Sequence, residues 1–385
     1  MKIVFASNYF NHHQKPLADA LFDITSGNYT FVSTGKMSEE RKKLGYGEGE
    51  IPEYVKYTYK TEQERTECQK LIDEADVVII GSAPKSLLKT RLKNGKLTFY
   101  YAERPYKIKP PIYKLAVHFL KNFKNIIRHR NLYILCASAY TSADYAKVFT
   151  FKNKAYKWGY FTVAKEYQDP DALINQKAPN SILWVSRYLA LKHPEHVVEV
   201  AKRLKKDAYN FKINMIGIGE LQEQTRRLVD EENLSDCVEM LGAMKPEEVR
   251  EYMEKSEIFL FTSDRNEGWG AVMNESMNSA CAVVANSAIG SVPFLMKDKE
   301  NGFMYKDGDV DDLYSKVKSL LDNADDRKRI SKNAYKTIIE EYNPKNAAKK
   351  FVTLCELMLK GEYKPFPFKD GVCSKAEELE DNWYK

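Results

Sequence analysis

The strongest constraint on the fold of this chain is a regular alternation of short apolar runs with helix-like stretches. The apolar runs predict buried strands, and the stretches between them predict helices. This alternation is typical of α/β domains built on parallel sheets. The predicted strands are Lys2–Ala6, Tyr29–Ser33, Val77–Ile80, Leu97–Tyr101, Tyr133–Ala137, Ala155–Trp158, Ser181–Ser186, Lys212–Ile216, Val238–Leu241, Ile258–Phe261 and Ala282–Ala285.

The pattern restarts near the middle of the chain, which predicts two domains. At 385 residues the chain is too long for one ordinary core. The polar segment 164–180 contains two prolines and fits a linker, so we place the boundary near residue 175. We predict an N-terminal Rossmann-like domain over 1–175, a C-terminal Rossmann-like domain over 176–342, and a C-terminal helix and tail over 343–385.

The composition indicates a soluble globular protein, since 43% of the residues are hydrophobic and 30% are charged. No stretch approaches the 18 apolar residues of a transmembrane helix, and the apolar start is too short for a signal peptide. The six cysteines lie far apart without a C-x-x-C pair. They predict reduced thiols in a cytoplasmic protein, not a disulfide framework or a zinc site.

The charge of the chain is concentrated in one basic segment. The net charge is only +6, but Lys107–Arg130 has many cations, no acidic residue, and interspersed apolar residues. Such a segment fits an amphipathic helix on the anionic inner face of a membrane. The alternative, which the composition slightly favours, is an ordinary surface helix with a charged outer face. The small net charge and the lack of a recognised binding motif argue against a nucleic-acid partner.

Two carboxylates, Glu267 and Glu275, stand eight residues apart between two apolar runs. On one helix this spacing spans about 12 Å along nearly the same face, roughly the reach from the sugar to the ribose of a nucleotide sugar. Gly268 and Gly270 allow close backbone approach, and the following helix N-terminus can hold phosphate oxygens. The alternative is a solvated pair of acids. The flanking strands form a βαβ unit whose loop lies where α/β sheets bind ligands.

Further candidates follow the other strands of the second half. Arg187 and Lys192 supply cations suited to a diphosphate, or are simply two solvated charges. The run Gly217–Leu221 contains two glycines but lacks the third of G-x-G-x-x-G, so a tight turn is its default meaning. The segments 241–244 and 290–293 end or follow strands and could meet a base or the same ligand.

Two candidates lie in the first half. The run Asn11–Gln14 precedes a predicted helix, so His13 could act as a general base, contact substrate, or merely cap the helix. Glu103 and Arg104 follow a predicted strand and are either functional or a surface ion pair.

Several candidate residues follow one another in a characteristic order: Arg187 with Lys192, Gly217 with Gly219, Gly242, Glu267 with Glu275, and Gly290 before Pro293. In this order the chain resembles GT-B glycosyltransferases of family 4, including their E-x7-E motif. The resemblance covers the second half; in the first half only the architecture agrees. It implies two Rossmann-like domains facing a central cleft, with the donor on the C-terminal domain. It also implies that the last helix returns to the N-terminal domain.

The resemblance assigns roles to particular residues. Glu267 would contact the donor sugar, Glu275 the ribose hydroxyls, and Arg187 with Lys192 the diphosphate. The candidate catalytic residues are Glu267, Arg187, Lys192, His13 and Glu103; the candidate donor-binding residues are Glu275, Gly217, Gly219, Gly242, Gly268, Trp269, Gly270, Ala271 and Ser291, and no metal ligand is expected.

The chain departs from the family pattern in four places. His12 stands where a Gly-Gly turn is common, Glu103 stands where a histidine is common, and His193 follows Lys192 where a glycine is usual. Ile289 precedes Gly290 where the family has a glycine pair near the sugar. The acceptor half is therefore unusual.

The resemblance implies a retaining hexosyltransferase that needs no metal or other cofactor. It would use a nucleotide-diphospho-sugar and a glycan or lipid-linked glycan acceptor in surface polysaccharide biosynthesis, such as capsule or lipopolysaccharide. The alternatives are a sugar-nucleotide epimerase of the same fold and a non-catalytic nucleotide-sugar-binding protein. A nicotinamide dehydrogenase is disfavoured because the third glycine is missing after Gly219.

Overall fold

The computed structural model describes residues 1–38, 50–108, 110–363 and 366–384, and the chain forms two compact units. The first unit comprises Met1–Val163 with Asn343–Glu380, and the second comprises Ala164–Tyr342 with Asp381–Lys385. Each unit is built on a parallel sheet with intervening helices, which confirms the predicted α/β class. Among the described residues, no helix combines the length and apolarity needed to cross a bilayer.

The first unit contains a parallel sheet whose described strands run in the order β3-β2-β1-β4-β5-β6-β7. Its inner strands are buried along their length, as expected for a sheet covered on both faces. The strands are β1 (Ile3–Ser7), β2 (Tyr29–Ser33), β3 (Val55–Tyr57), β4 (Val77–Ile80), β5 (Thr98–Ala102), β6 (Leu132–Cys136) and β7 (Ala155–Lys157). The helices are α1 (Lys15–Ile24), α2 (Glu62–Glu74), α3 (Lys89–Lys93), α4 (Ile112–Asn122), α5 (Thr141–Ala146) and the late helix Pro344–Lys360.

The second unit contains a parallel sheet whose described strands run in the order β10-β9-β8-β11-β12-β13. The strands are β8 (Ala178–Val185), β9 (Lys212–Ile216), β10 (Val238–Gly242), β11 (Ser256–Phe261), β12 (Ala282–Asn286) and β13 (Phe303–Tyr305). The helices are α6 (Pro170–Asn175), α7 (Pro194–Lys206), α8 (Gln222–Glu231), α9 (Pro246–Lys255), α10 (Val272–Asn278), α11 (Val292–Leu295), α12 (Val310–Asp322) and α13 (Ala324–Lys336). The helix Pro344–Lys360 of the first unit is α14.

The boundary between the units lies after Val163, earlier than the predicted position near residue 175. The reason is that the polar segment is bound to the second unit. The backbone N–H of Lys165 donates to Asn278 Oδ1 at 2.8 Å. Lys177 is buried, and its ammonium donates to the carbonyl oxygens of Met253 at 2.9 Å and Ser279 at 2.9 Å. The whole predicted linker is therefore part of the second unit.

The chain returns to the first unit through α14, which packs against α1. The last residues, Asp381–Lys385, belong instead to the second unit. There the Arg265 guanidinium donates to Asp381 Oδ2 at 3.1 Å, and the Tyr384 hydroxyl donates to the Met304 carbonyl at 2.9 Å. The tail over 343–385 is thus divided between the two units.

Candidate active site in the second unit

The predicted site residues of the second unit lie where its strands end. Because the strands are parallel, their carboxyl ends meet at one edge of the sheet, which is where open α/β sheets bind ligands. Arg187 and Lys192 follow β8, Gly217 and Gly219 follow β9, and Gly242 ends β10. Glu267 follows β11, and Ser291 follows β12.

The structure brings Lys192 and Glu267 into direct contact. The Lys192 ammonium donates to Glu267 Oε2, and Ser263 Oγ donates to the same oxygen at 3.2 Å. The two charged side chains are only 13% and 16% exposed. Thr262 Oγ1 fixes the backbone by donating to the Lys192 carbonyl at 2.6 Å. A cation and a carboxylate are therefore held together at the end of β11, largely shielded from water.

Arg187 lies at the end of β8 with an exposed side chain. Within the described part of the chain, no hydrogen bond or ion pair engages its guanidinium. The backbone around it is fixed, because Ser186 N–H donates to the Ile216 carbonyl at 3.0 Å and Tyr188 N–H donates to the Ile218 carbonyl at 3.1 Å. A positioned backbone carrying an uncommitted guanidinium suits bidentate binding of an anion.

The glycines after β9 are required by the contact between two loops. Gly217 has φ +137°, and a Cβ there would lie 1.9 Å from the Ser186 carbonyl oxygen. A Cβ at Gly219 would lie 2.5 Å from the Tyr188 carbonyl oxygen. Gly217 N–H donates to the Gly242 carbonyl at 2.7 Å, which joins the ends of β9 and β10. These glycines thus shape the loop that carries Arg187, in agreement with the tight-turn interpretation.

The turn that follows Glu267 is also closely packed. Gly270 has φ +77°, and a Cβ there would lie 2.2 Å from Phe261 Cζ. The Trp269 side chain is fully buried and its indole N–H donates to Asn274 Oδ1 at 2.8 Å. Ser291 is equally buried. Trp269 and Ser291 were predicted to bind donor, but their side chains are committed to the core, so only their backbone groups could serve.

Glu275 lies in the first turn of α10, which begins only at Val272. Glu267 precedes this helix, so the expectation that both carboxylates share one helical face is wrong. Gly268, Gly270 and Ala271 fill the turn between Glu267 and the helix. Burial raises the pKa of Glu275, and the nearby Arg250 guanidinium opposes that shift. Arg250 also donates to the Glu275 carbonyl oxygen at 3.2 Å, which anchors α9 to α10.

A group of potential metal ligands lies beside Lys192, at the start of α7. Ligand atoms of His193, Glu195 and His196 lie within 4.8 Å of one another. His193 Nδ1 is 2.7 Å from Glu195 Oε1, and these carboxylate contacts raise the pKa of His193. The three residues could hold a divalent cation, although the positive end of the α7 dipole opposes one there. The backbone of His193 is left-handed, with φ 49°, a conformation that glycine adopts most readily.

In the first unit, His13 lies just before α1 in a turn built on Asn11. The Asn11 side-chain oxygen accepts from the backbone N–H groups of His13 at 3.0 Å and Gln14 at 3.2 Å. The His12 and His13 rings are 3.9 Å apart. Burial and the neighbouring His12 lower the pKa of His13 to about 4. His13 is therefore neutral at pH 7 and can accept or donate one hydrogen bond.

We expect the lowered pKa of His13 to make the protein less stable in acid. The unfolded state binds a proton near pH 6.5 while the folded state resists it until about pH 4. Stability is therefore lost as the pH falls through that window, and it is unaffected by His13 above it. Urea unfolding at pH 7.5 and 5 measures the loss, and His13→Gln should reduce it. An identical loss in wild type and variant would contradict the assignment.

The side chains of Glu103 and Arg104 have different surroundings, although the sequence suggested that the two act together or form a surface ion pair. Arg104 is buried, and its Nε donates to Asp144 Oδ2 at 3.2 Å. It therefore forms a buried ion pair within the first unit. Glu103 remains partly exposed and accepts a hydrogen bond from the Tyr160 hydroxyl at 2.7 Å. Only Glu103 remains a candidate for ligand contact.

Sequence reasoning missed two residues that shape the site. Asp264 Oδ2 lies 3.4 Å from His193 Nε2, and its Oδ1 accepts from Asn266 N–H at 2.7 Å. Its place directly after β11 was a signal that could have identified it. Arg250 gave no such signal, because it lies within a helix rich in charged residues and approaches Glu275 only through tertiary packing.

The second unit contains the part of the chain that matches a known protein family. Residues 167–337 match the family described as glycosyl transferases group 1. An uncharacterized glycosyltransferase of Methanocaldococcus jannaschii is 29% identical over 52% of this chain and 52% of its own length. The amylovoran biosynthesis glycosyltransferase of Erwinia amylovora is 29% identical over 35% of this chain and 34% of its own. The chain thus spans about half or less of these relatives.

Solved structures resemble the chain over nearly its whole length. The Anabaena protein HepE, solved in complex with UDP, has a TM-score of 0.66 at 13% identity, covering 94% of this chain and 99% of its own. A glycosyltransferase from Rickettsia africae has a TM-score of 0.65 at 16% identity, covering 93% and 98%. At such identities the likeness concerns the fold. Residues 167–337 thus resemble the group 1 glycosyl transferases, and the two Rossmann-like units have the GT-B fold.

Proposed function

We propose that this protein is a glycosyltransferase that moves a sugar from a nucleotide-diphospho-sugar to a glycan or lipid-linked glycan acceptor. The observation that carries the proposal is the shielded pair of Lys192 and Glu267 at the same sheet edge as the uncommitted guanidinium of Arg187. Two cations with one carboxylate suit a diphosphate joined to a hydroxyl-rich sugar.

The proposed roles follow from charge. Arg187 and Lys192 stabilise the negative charge that develops on the departing nucleoside diphosphate. Glu267 accepts hydrogen bonds from the donor sugar while it also accepts one from the Lys192 ammonium. Glu275, at the start of α10, accepts the ribose hydroxyls. We propose that the backbone N–H groups of Gly268, Gly270 and Ala271 bind phosphate oxygens, because the one large side chain of this turn, Trp269, packs inward.

We propose that the transfer retains the anomeric configuration, as in family 4. The pair of Glu267 and Glu275 resembles the paired glutamates of that family. The bond between the anomeric carbon and the diphosphate oxygen breaks, and the acceptor oxygen bonds to that carbon from the same face. The acceptor proton passes to the departing phosphate, so no protein nucleophile is needed. The charge on the diphosphate is met by Arg187 and Lys192, so we propose that neither a metal nor another cofactor takes part.

The acceptor is proposed to belong to a surface polysaccharide pathway. Relatives include the amylovoran biosynthesis glycosyltransferase and a Staphylococcus aureus poly(ribitol-phosphate) alpha-N-acetylglucosaminyltransferase, 25% identical over 44% of this chain. His13 and Glu103 are the first-unit residues we propose for acceptor contact. The six cysteines are buried free thiols, which is typical of a reducing compartment, and we propose a cytoplasmic location.

The test is a donor screen with purified protein. UDP-, GDP-, ADP- and dTDP-sugars are supplied with EDTA, and both thermal stabilisation and release of free nucleoside diphosphate are followed. One donor should stabilise the protein and release its diphosphate slowly, and Glu275→Ala should weaken both signals. Conversion of the sugar without loss of the diphosphate would identify an epimerase. Binding without turnover, even with lipid-linked glycan present, would favour a non-catalytic binding protein.

A further inference from the structure

The helix α4 (Ile112–Asn122) of the first unit presents its apolar side chains to solvent. None of its residues is buried, and Ile112 and Leu120 are 86% and 69% exposed. Tyr113 and Val117 are also mostly exposed. Spacings of three and four residues place these side chains on one face of the helix. An ordinary surface helix turns its apolar face to the core, so the burial of α4 is inverted.

Polar side chains of α4 and its neighbours explain the inversion. His118 Nδ1 forms a hydrogen bond of 2.9 Å with the Tyr106 hydroxyl, which lies outside the helix. Asn122 Nδ2 donates to Thr150 Oγ1 at 3.4 Å. These bonds attach the more polar face of α4 to the body of the unit. The apolar face is consequently directed outward.

A second segment of the chain extends the apolar surface. Phe149 is 74% exposed, and its ring lies 5.9 Å from that of Phe119 on α4. Its backbone has φ 52°, a left-handed conformation that costs free energy in a residue with a side chain. Phe123, after the end of α4, is 52% exposed. We name the docking face as the exposed side chains of Ile112, Tyr113, Val117, Leu120, Phe123 and Phe149.

Cations border this docking face. Lys114 and Lys121 are exposed and stand two helical turns apart, so they form a row along one edge of α4. Arg128 is exposed beyond the helix end. The segment 107–130 contains no acidic residue, and the buried Asp144 nearby is paired with Arg104. An apolar surface bordered by uncompensated positive charge is complementary to a bilayer that carries anionic headgroups.

We infer that the docking face binds the surface of an anionic lipid bilayer, with α4 lying in the plane of the interface. The apolar side chains enter the headgroup boundary, and Lys114 and Lys121 remain among the phosphates. The helix is too short to span a membrane, so attachment is peripheral. This inference goes beyond the proposed transfer reaction and does not depend on it. It would place the enzyme beside acceptors that are anchored in lipid.

The test is co-sedimentation of the full chain with vesicles, without any nucleotide sugar. Vesicles of phosphatidylcholine alone are compared with vesicles that also contain phosphatidylglycerol, at low and high salt. The wild type should bind the anionic vesicles at least about tenfold more tightly than the neutral ones, and salt should weaken this binding.

Two pairs of variants separate the contributions of the apolar face and the cations. Leu120→Asp should weaken anionic vesicle binding about tenfold or more, whereas Leu359→Asp, at a half-exposed leucine of α14, should not. The double change of Lys114 and Lys121 to Glu should have a similar effect. The same double change at Lys89 and Lys93, exposed on α3, is its charge-matched control. Thermal unfolding checks that each variant is folded.

Three outcomes would overturn the inference. The first is binding that is absent or equal on neutral and anionic vesicles. The second is equal loss in the Leu359 and Lys89/Lys93 controls. The third is a wild-type dimer in sedimentation velocity that Leu120→Asp dissociates, without any vesicle binding, because the docking face would then be an interface between two copies. Donor turnover measured separately distinguishes failure here from failure of the proposed reaction.

Discussion

Replacement of Arg187 by alanine is expected to slow release of nucleoside diphosphate from the donor by about 100- to 1,000-fold, with little change in stability. The guanidinium is exposed and makes no described contact within the protein, so its removal disturbs no folded interaction. It should nevertheless remove a major charge that stabilises the leaving group. The measurement is kcat/KM for donor turnover, together with the free energy of unfolding of each variant.

Two further variants refine this result. Arg187→Lys retains the charge but loses the bidentate geometry, so its rate should lie between those of the wild type and the alanine variant. Arg227→Ala removes an equally exposed arginine from α8 of the same unit and should leave the rate unchanged. A rate for Arg187→Ala within about threefold of wild type would argue against its role at the leaving group.

Replacement of Gly217 by alanine is expected to lower the free energy of unfolding by about 3 kcal/mol. The new Cβ would lie 1.9 Å from the Ser186 carbonyl oxygen, and the backbone at φ +137° disfavours any side chain. The Ser186–Gly217 contact must therefore open. Because Arg187 follows Ser186, we also expect the loss of donor turnover to exceed the loss of folded protein. Urea unfolding and turnover at a temperature where the variant remains folded measure the two effects.

Gly242→Ala is the matched control for Gly217→Ala. Gly242 also has a positive φ, +75°, but a Cβ there would meet nothing within 4 Å. Its replacement should therefore cost only about 1 kcal/mol, the penalty of the backbone conformation alone. Equal destabilisation by the two substitutions would show that the close approach to Ser186 is not what requires glycine at position 217.

The fold was accessible from the sequence because parallel strands buried on both faces are continuous apolar runs. Predicted strands such as Tyr29–Ser33 and Lys212–Ile216 agree with the structure to the residue. Val55–Tyr57 and Phe303–Tyr305 were missed, whereas the equally short Ala155–Lys157 was predicted, so a local run does not identify strands of three residues consistently. The pairing of these short strands depends on neighbours distant in sequence, which a local pattern does not contain.

The sequence predicted site residues only where they directly follow a predicted strand. That logic places Arg187, Lys192 and Glu267 at one sheet edge. It could not show that Trp269 is buried or that α10 begins after Glu267, since both depend on how the turn packs against Phe261. Packing in the core determines which side chains of a turn face a ligand, and the spacing of residues in the sequence does not show this.

The basic segment illustrates the same limit. Its pattern predicted an amphipathic helix and left open whether that helix lies on a membrane or is an ordinary surface helix with a charged outer face. The structure decides for an apolar outer face, because hydrogen bonds from His118 and Asn122 turn the opposite face inward. Neither bond could be inferred from helical periodicity, since Tyr106 and Thr150 lie outside the helix.

The most direct measurement is a crystal structure of the protein with the nucleotide sugar that gives the largest thermal stabilisation. We predict that the diphosphate contacts Arg187 and Lys192, with the sugar against Glu267 and the ribose against Glu275. Lys192 would then be shared between the diphosphate and the carboxylate it contacts in the free protein. A nucleotide bound elsewhere, with Arg187 and Lys192 unengaged, would contradict the assignment of the second unit as the donor site.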